Sequence, residues 1–173
     1  DALETFLQSM SGRKCTLRAP RRGEKLRLLE LAKENAALEL ASLAKKEEKS
    51  SKTLEALAGM LGLPAAPGRI EAFDISNTGG EDIVASMTVF VDGKPLKRDY
   101  RKFKIKTLAN QDDYHSMAEV VSRRIARYKS EDAKFSVLSD LMLIDGGATH
   151  ARGALNVLRE AGIDIPVYGM VKD

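Results

Sequence analysis

Apolar spacing divides the chain near Gly68. Between Glu24 and Leu43, the residues Leu29, Ala32, Ala36, Leu40 and Leu43 recur at steps of three and four. That is the period of one helical face, with charged residues on the others. A short helix and a strand near Cys15–Ala19 are expected before it, ending in a Pro-Arg-Arg-Gly turn. The pattern dissolves into the Lys, Glu and Ser of 45–52, which reads as a frayed end or linker. A second short helix is expected over Leu54–Leu61, with Thr53 as its N-cap. Pro64 and Pro67 close this half, because proline blocks helix continuation.

After Gly68 the period becomes strand-like. Arg69–Ser76 predicts a first strand and Ile83–Val91 a second, turning at Asp92-Gly93, the strongest short hairpin signal. The return strand is expected over Pro95–Ile105, with Arg98, Tyr100 and Lys102 on one side and Arg101, Phe103 and Ile105 on the other. Helix resumes near Asp112-Asp113, where carboxylates suit the macrodipole. Leu141–Ile144 is a continuous apolar run, as in a strand buried on both faces. Asp145-Gly146-Gly147 leads into a helix that Gly162 stops, and Ile165–Val171 is the last strand. Three strands with short links form an antiparallel meander, and the fourth and fifth, reached through helices, run parallel to a strand already present. The expectation is an α/β fold: a mixed five-stranded sheet with flanking helices in 68–173, preceded by a mainly helical region in 1–67.

Composition narrows the setting. The 173 residues are 43% hydrophobic, enough for a core and too many for wholesale disorder. A single cysteine, Cys15, permits no internal disulfide, which suits a reducing compartment and a cytoplasmic location. No apolar run approaches membrane-spanning length and no signal peptide opens the chain. The absence of an initiator Met and the end after an apolar run suggest a piece of a longer protein. The net charge of +3 is small but unevenly placed. One basic stretch runs from Arg13 to Arg27, and a second from Lys94 to Lys106, opposed only by Asp99. Such stretches point to a polyanion-facing surface, or more simply to solvated charge. Few aromatics and no Trp argue against a base-stacking platform for single strands.

Three aspartates stand out. Asp74 lies between Phe73 and Ile75, where a carboxylate is costly unless paired or bound to a cation, or unless its strand is a solvent-facing edge. Asp145 ends the buried run, and Asp113 opens a helix; either also suits an ordinary turn or cap residue. If the fourth strand lies parallel beside the first, Asp74 and Asp145 leave the same end of neighbouring strands, about 5 Å apart. The third strand ends on that side too, within reach of Asp113. Three converging carboxylates repel one another and titrate above their usual range unless a cation intervenes. Oxygen-only ligands select Mg²⁺ or Mn²⁺, and a pair of such ions clamps a phosphodiester for attack by water.

The stretch Arg69-Ile70-Glu71-Ala72-Phe73-Asp74-Ile75-Ser76 resembles the opening of the C-terminal endonuclease domain of the UvrC family, the nuclease subunit of bacterial nucleotide excision repair. Gly80-Glu81, Val84-Ala85-Ser86, Tyr100-Arg101-Lys102-Phe103, Asp112-Asp113-Tyr114 and Leu143-Ile144-Asp145-Gly146-Gly147 follow in the family's order. Pro20–Lys25 and Glu34-Asn35-Ala36 resemble its connecting region. The resemblance implies an RNase H-like fold and metal-dependent hydrolysis of a DNA phosphodiester, the incision 5′ of a lesion. It implies Asp74, Asp113 and Asp145 as catalytic and metal-binding residues with Mg²⁺ or Mn²⁺. Damaged double-stranded DNA is the implied substrate, and UvrB the implied partner through regions outside this chain. Arg98, Arg101, Lys102, Lys104 and Lys172 are the expected DNA contacts. The family also uses a histidine beyond the last residue here, which neither His115 nor His150 matches, so weak cutting is expected. Ala148 stands where the family usually has lysine, implying a weaker phosphate contact. Two other readings compete: a non-catalytic RNase H-like scaffold for DNA or a partner, and a nucleotide-binding domain using Gly146-Gly147 at a helix N-terminus.

Overall fold

The computed structural model describes residues 2–77, 83–105 and 113–171. The chain packs as two compact units, 1–47 and 48–173. The expected boundary at 67/68 lies inside the second.

In the first unit, α1 spans Ala2–Ser11, and α2 begins at Glu24 and continues to Leu61. No strand forms at 15–19. A lone strand leaves both rows of backbone groups without a ladder, and here the Leu17 N–H instead donates to Glu4 Oε1 at 2.8 Å. No described residue of this unit is fully buried, and Phe6, Met10, Leu38 and Leu40 of its apolar stripes are exposed. The break expected at 45–52 is absent. Lys and Glu are good helix formers, Lys52 pairs with Glu48 one turn back at 2.7 Å, and the Thr53 hydroxyl, expected as a cap, donates to the Lys49 carbonyl instead.

The second unit holds one mixed sheet. Its strands are β1 (Arg69–Asn77), β2 (Ile83–Val91), β3 (Lys94–Pro95), β4 (Arg101–Lys104), β5 (Leu141–Asp145) and β6 (Val167–Met170). The order is β3-β2-β1-β5-β6, with β4 also on β2. The meander is antiparallel, and β5 and β6 are parallel to β1, as expected. The hairpin turns at Asp92 (φ 50°) and Gly93 (φ 72°), the two left-handed positions a type I′ turn requires. One difference is that the return strand is split. A 3₁₀ turn at Lys97–Asp99 separates β3 from β4, and Pro95, lacking an N–H, sits at the sheet edge.

Helices α3 (Asp113–Lys129) and α4 (Ala148–Ala161) make the crossovers β4-α3-β5 and β5-α4-β6. Both crossovers step across the sheet in the same direction. A constant right hand then places both helices on the same face. That face is the core: Phe73, Ala85, Met87, Val89 and Phe103 pack against Met117, Val120, Val121, Ala154 and Leu158. Alternate residues of the same strands, among them Asp74, Ser86 and Thr88, face the other way. From residue 48 onward, α2 is tied to the sheet and its hairpin turn by hydrogen bonds. Ser50 Oγ donates to the Asp92 carbonyl (2.8 Å) and Tyr168 Oη to the Leu61 carbonyl. The carboxylate end of the outer face carries neither crossover helix.

Candidate metal centre on the open face of the sheet

The site follows from strand register. In the parallel pair β1–β5, Phe73 lies opposite Ile144. One residue further along each strand come Asp74 and Asp145, on the face away from the helices. Neighbouring strands are about 4.8 Å apart, so the two carboxylates start from adjacent backbone positions. They share a hollow of about 320 Å³ with Ala72, Phe73, Ser86, Thr88 and Met170. Asp145 is half-buried and Asp74 exposed.

This alters the reason Asp74 stands out. β1 is flanked by β2 and β5, so it is not an edge strand. Asp74 is nevertheless solvated, because its face is open at that end. The carboxylate that is truly buried in β1 is Glu71, at 0% exposure, on the core side with Phe73. Sequence reasoning missed it. Arg124 of α3, itself buried, binds it in bidentate fashion, Nη2 to Oε1 at 2.8 Å and Nε to Oε2 at 3.0 Å. The same guanidinium donates to the carbonyls of Phe135 (3.0 Å) and Val137 (2.5 Å). Such geometry is what makes a buried ion pair tolerable. The available signal was parity: Glu71, Phe73 and Ile75 share one side of a strand.

Asp145 is positioned by the turn that follows it. The Gly146 N–H donates to the Met170 carbonyl at 3.0 Å. Gly146 has φ +130°, a conformation side chains rarely adopt, and the His150 ring fills the space a Cβ would need. His150 Nδ1 is buried without a hydrogen-bond partner among the described residues. On β6, Gly169 lets the same turn pass close by.

Asp113 opens α3, but its side chain, like that of His115, lies outside the described residues. Among the described residues no three acidic, histidine or cysteine side chains gather as a ligand set; Asp74 and Asp145 supply two.

The expected DNA contacts separate. Lys102 and Lys104 are exposed and alternate with buried Phe103 and Ile105, so they stand on the face of Asp74. Arg101 is on the opposite face. It donates to the carbonyls of Arg98 (2.7 Å), Tyr100 (2.8 Å) and Lys134 (3.3 Å) and stacks 5.4 Å from the Phe135 ring centre. Arg98 lies on the 3₁₀ turn, its side chain 83% exposed. Lys172 lies outside the described residues. Among the described residues no helix is long and apolar enough to cross a membrane.

A mixed sheet with an antiparallel meander, two parallel crossovers on one face and carboxylates at one end of the other defines an RNase H-like α/β domain. Residues 58–173 match the family described as the UvrC RNAse H endonuclease domain, and residues 1–43 the UvrC Ribonuclease H-like domain. The chain belongs to the UvrC family. The UvrABC system protein C of Acetivibrio thermocellus is 42% identical over 192 residues, covering 100% of this chain and 31% of that protein. That of Clostridium tetani is 46% identical over 187 residues, covering 99% of this chain and 30% of that one. The chain thus spans about 30% of the length of these relatives. Among solved structures, Ciona intestinalis Endonuclease V, in complex with a 24mer DNA containing an inosine followed by a ribo-adenosine, aligns with TM-score 0.45 and 14% identity, covering 79% of this chain and 60% of that one. Human ENDOV aligns with TM-score 0.46 and 16% identity, covering 72% and 57%.

Proposed function

We propose that the open face carrying Asp74 and Asp145 is the catalytic face of a metal-dependent DNA endonuclease acting in nucleotide excision repair, at the incision 5′ of a lesion. Asp113 is the third carboxylate of the set. The observation that carries this reading is the adjacency of Asp74 and Asp145 on parallel strands, on one face, in one hollow. The oxygen donors of the hollow, two carboxylates with the Ser86 and Thr88 hydroxyls, suit a hard cation, Mg²⁺ or Mn²⁺. Bound there, such ions supply Lewis-acid activation of a phosphodiester and of the attacking water.

The rest is the work of the chain itself. Two strands and the Gly146 turn hold the carboxylates in place before any ligand arrives. Ala72 and Met170 form an apolar wall that limits solvent on one side of the hollow. Lys102 and Lys104 lie on the same face, where they neutralise phosphates without reading bases. That suits cutting set by damage rather than by sequence. Damaged double-stranded DNA is the substrate, and UvrB is a partner of the longer protein.

Metal binding is the primary test. Titration with Mn²⁺, read by calorimetry, should show weak binding to this chain that is lost in Asp74→Asn and in Asp145→Asn. Nicking of supercoiled DNA should be slow and lost in the same variants. Mn²⁺ affinity unchanged in both variants would overturn the proposal.

A further inference from the structure

Residues paired across neighbouring strands point to the same side, so a register row read across a sheet is a row of side chains on one face. The row through the aspartates runs Met170 on β6, Asp145 on β5, Asp74 on β1, Ser86 on β2 and Lys102 on β4. It is lopsided. On the β6 side lies a thioether, which cannot hold an anion. On the β4 side come a hydroxyl and then an ammonium group. Ser86 is half-buried and lines the same hollow as both aspartates. Its hydroxyl makes no hydrogen bond among the described residues, and Lys102, exposed, makes no ion pair among them. The neighbouring cation Arg101 is engaged on the opposite face.

We propose that Ser86 and Lys102 form a phosphate-binding subsite on the β4 side of the aspartates. It holds a second phosphodiester of the strand whose scissile phosphate lies over Asp74 and Asp145. This rests on the nuclease reading and adds to it a residue, Ser86, and a direction. Ser86 is one strand spacing from Asp74 and Lys102 two, about 5 and 10 Å. Successive phosphates of one strand lie farther apart than the axial rise of about 3.4 Å per nucleotide, so the subsite meets a phosphate one or two nucleotides from the cut. The hydroxyl donates a hydrogen bond to a phosphate oxygen, and the ammonium on its flexible stem neutralises the charge. Among the described residues β6 offers no counterpart, its place in the row being taken by Met170.

The test is DNA affinity against salt, using this chain, a short fluorescent duplex and Ca²⁺ in place of a cutting ion. Lys102→Ala should weaken binding about tenfold and flatten the log–log salt slope by about 0.9, one phosphate contact, with Lys102→Arg restoring the slope. Ser86→Ala should weaken binding about three- to tenfold, the worth of one hydrogen bond, without changing the slope. The double variant should lose less than the two effects summed, because both groups hold one phosphate. Arg159→Ala, removing a charge from the exposed end of α4, should change neither. An unchanged slope in Lys102→Ala, or strict additivity of the pair, overturns the subsite while leaving the nuclease reading to the Mn²⁺ titration. Wild-type chain without salt-dependent DNA binding overturns both.

Discussion

Gly169 is where a single methyl group tests how the Asp145 position is built. A Cβ added there would sit 2.6 Å from the Gly146 carbonyl oxygen and 3.0 Å from that of Gly147. Ordinary contact begins near 3.4 Å, so the turn or β6 must give by about 0.8 Å. Neither yields easily. The obstructing atoms are backbone, and the Gly146 N–H is held to the Met170 carbonyl on the strand that would be pushed away. Overpacking of this kind costs about 1–3 kcal/mol. The larger effect should fall on the site, since Asp145 immediately precedes the displaced turn, and misplacement by about 1 Å can cost on the order of 100-fold in a positioned reaction. Gly169→Ala should therefore lower the free energy of urea unfolding by about 1–3 kcal/mol, the overpacking cost. Its Mn²⁺ affinity should fall at least about tenfold, by the same positional argument. A variant that keeps wild-type stability and wild-type Mn²⁺ affinity would refute the view that β6 and the Gly146 turn fix the carboxylate.

The buried pair gives a second test. Arg124→Met leaves the buried Glu71 carboxylate with only the longer contact to Arg69 Nη2 (3.5 Å) and should cost about 3–5 kcal/mol in urea unfolding, whereas the double change with Glu71→Leu should recover most of that. Failure of the double variant to recover would show the loss to be one of packing alone. Gly59, within α2, has nothing within 4 Å of an added Cβ. Gly59→Ala should raise stability by about 0.5–1 kcal/mol through helix propensity, and a fall in the unfolding midpoint would contradict that.

Much of the fold was legible because it depends on short-range pattern. The Asp92-Gly93 turn, the apolar run of β5 and the helical spacing of α3 and α4 each carry their own local signal, and chain connectivity then dictates which strands run parallel. Asp145 could be placed for the same reason, at the carboxyl end of a buried strand. Alternation along β1, however, says only that 71, 73 and 75 oppose 72, 74 and 76. It does not say which set meets the core. That depends on where α3 and α4 land, and the common hand of two crossovers put both on one side, burying Glu71 against Arg124 and leaving Asp74 in solvent. Cross-strand neighbours are equally invisible in one dimension: Ser86 and Lys102 join the aspartates only through the register of β2 and β4. The missing strand at 15–19 has a related cause. Marginal local preferences are settled by whether a partner is present, and only the folded chain supplies one.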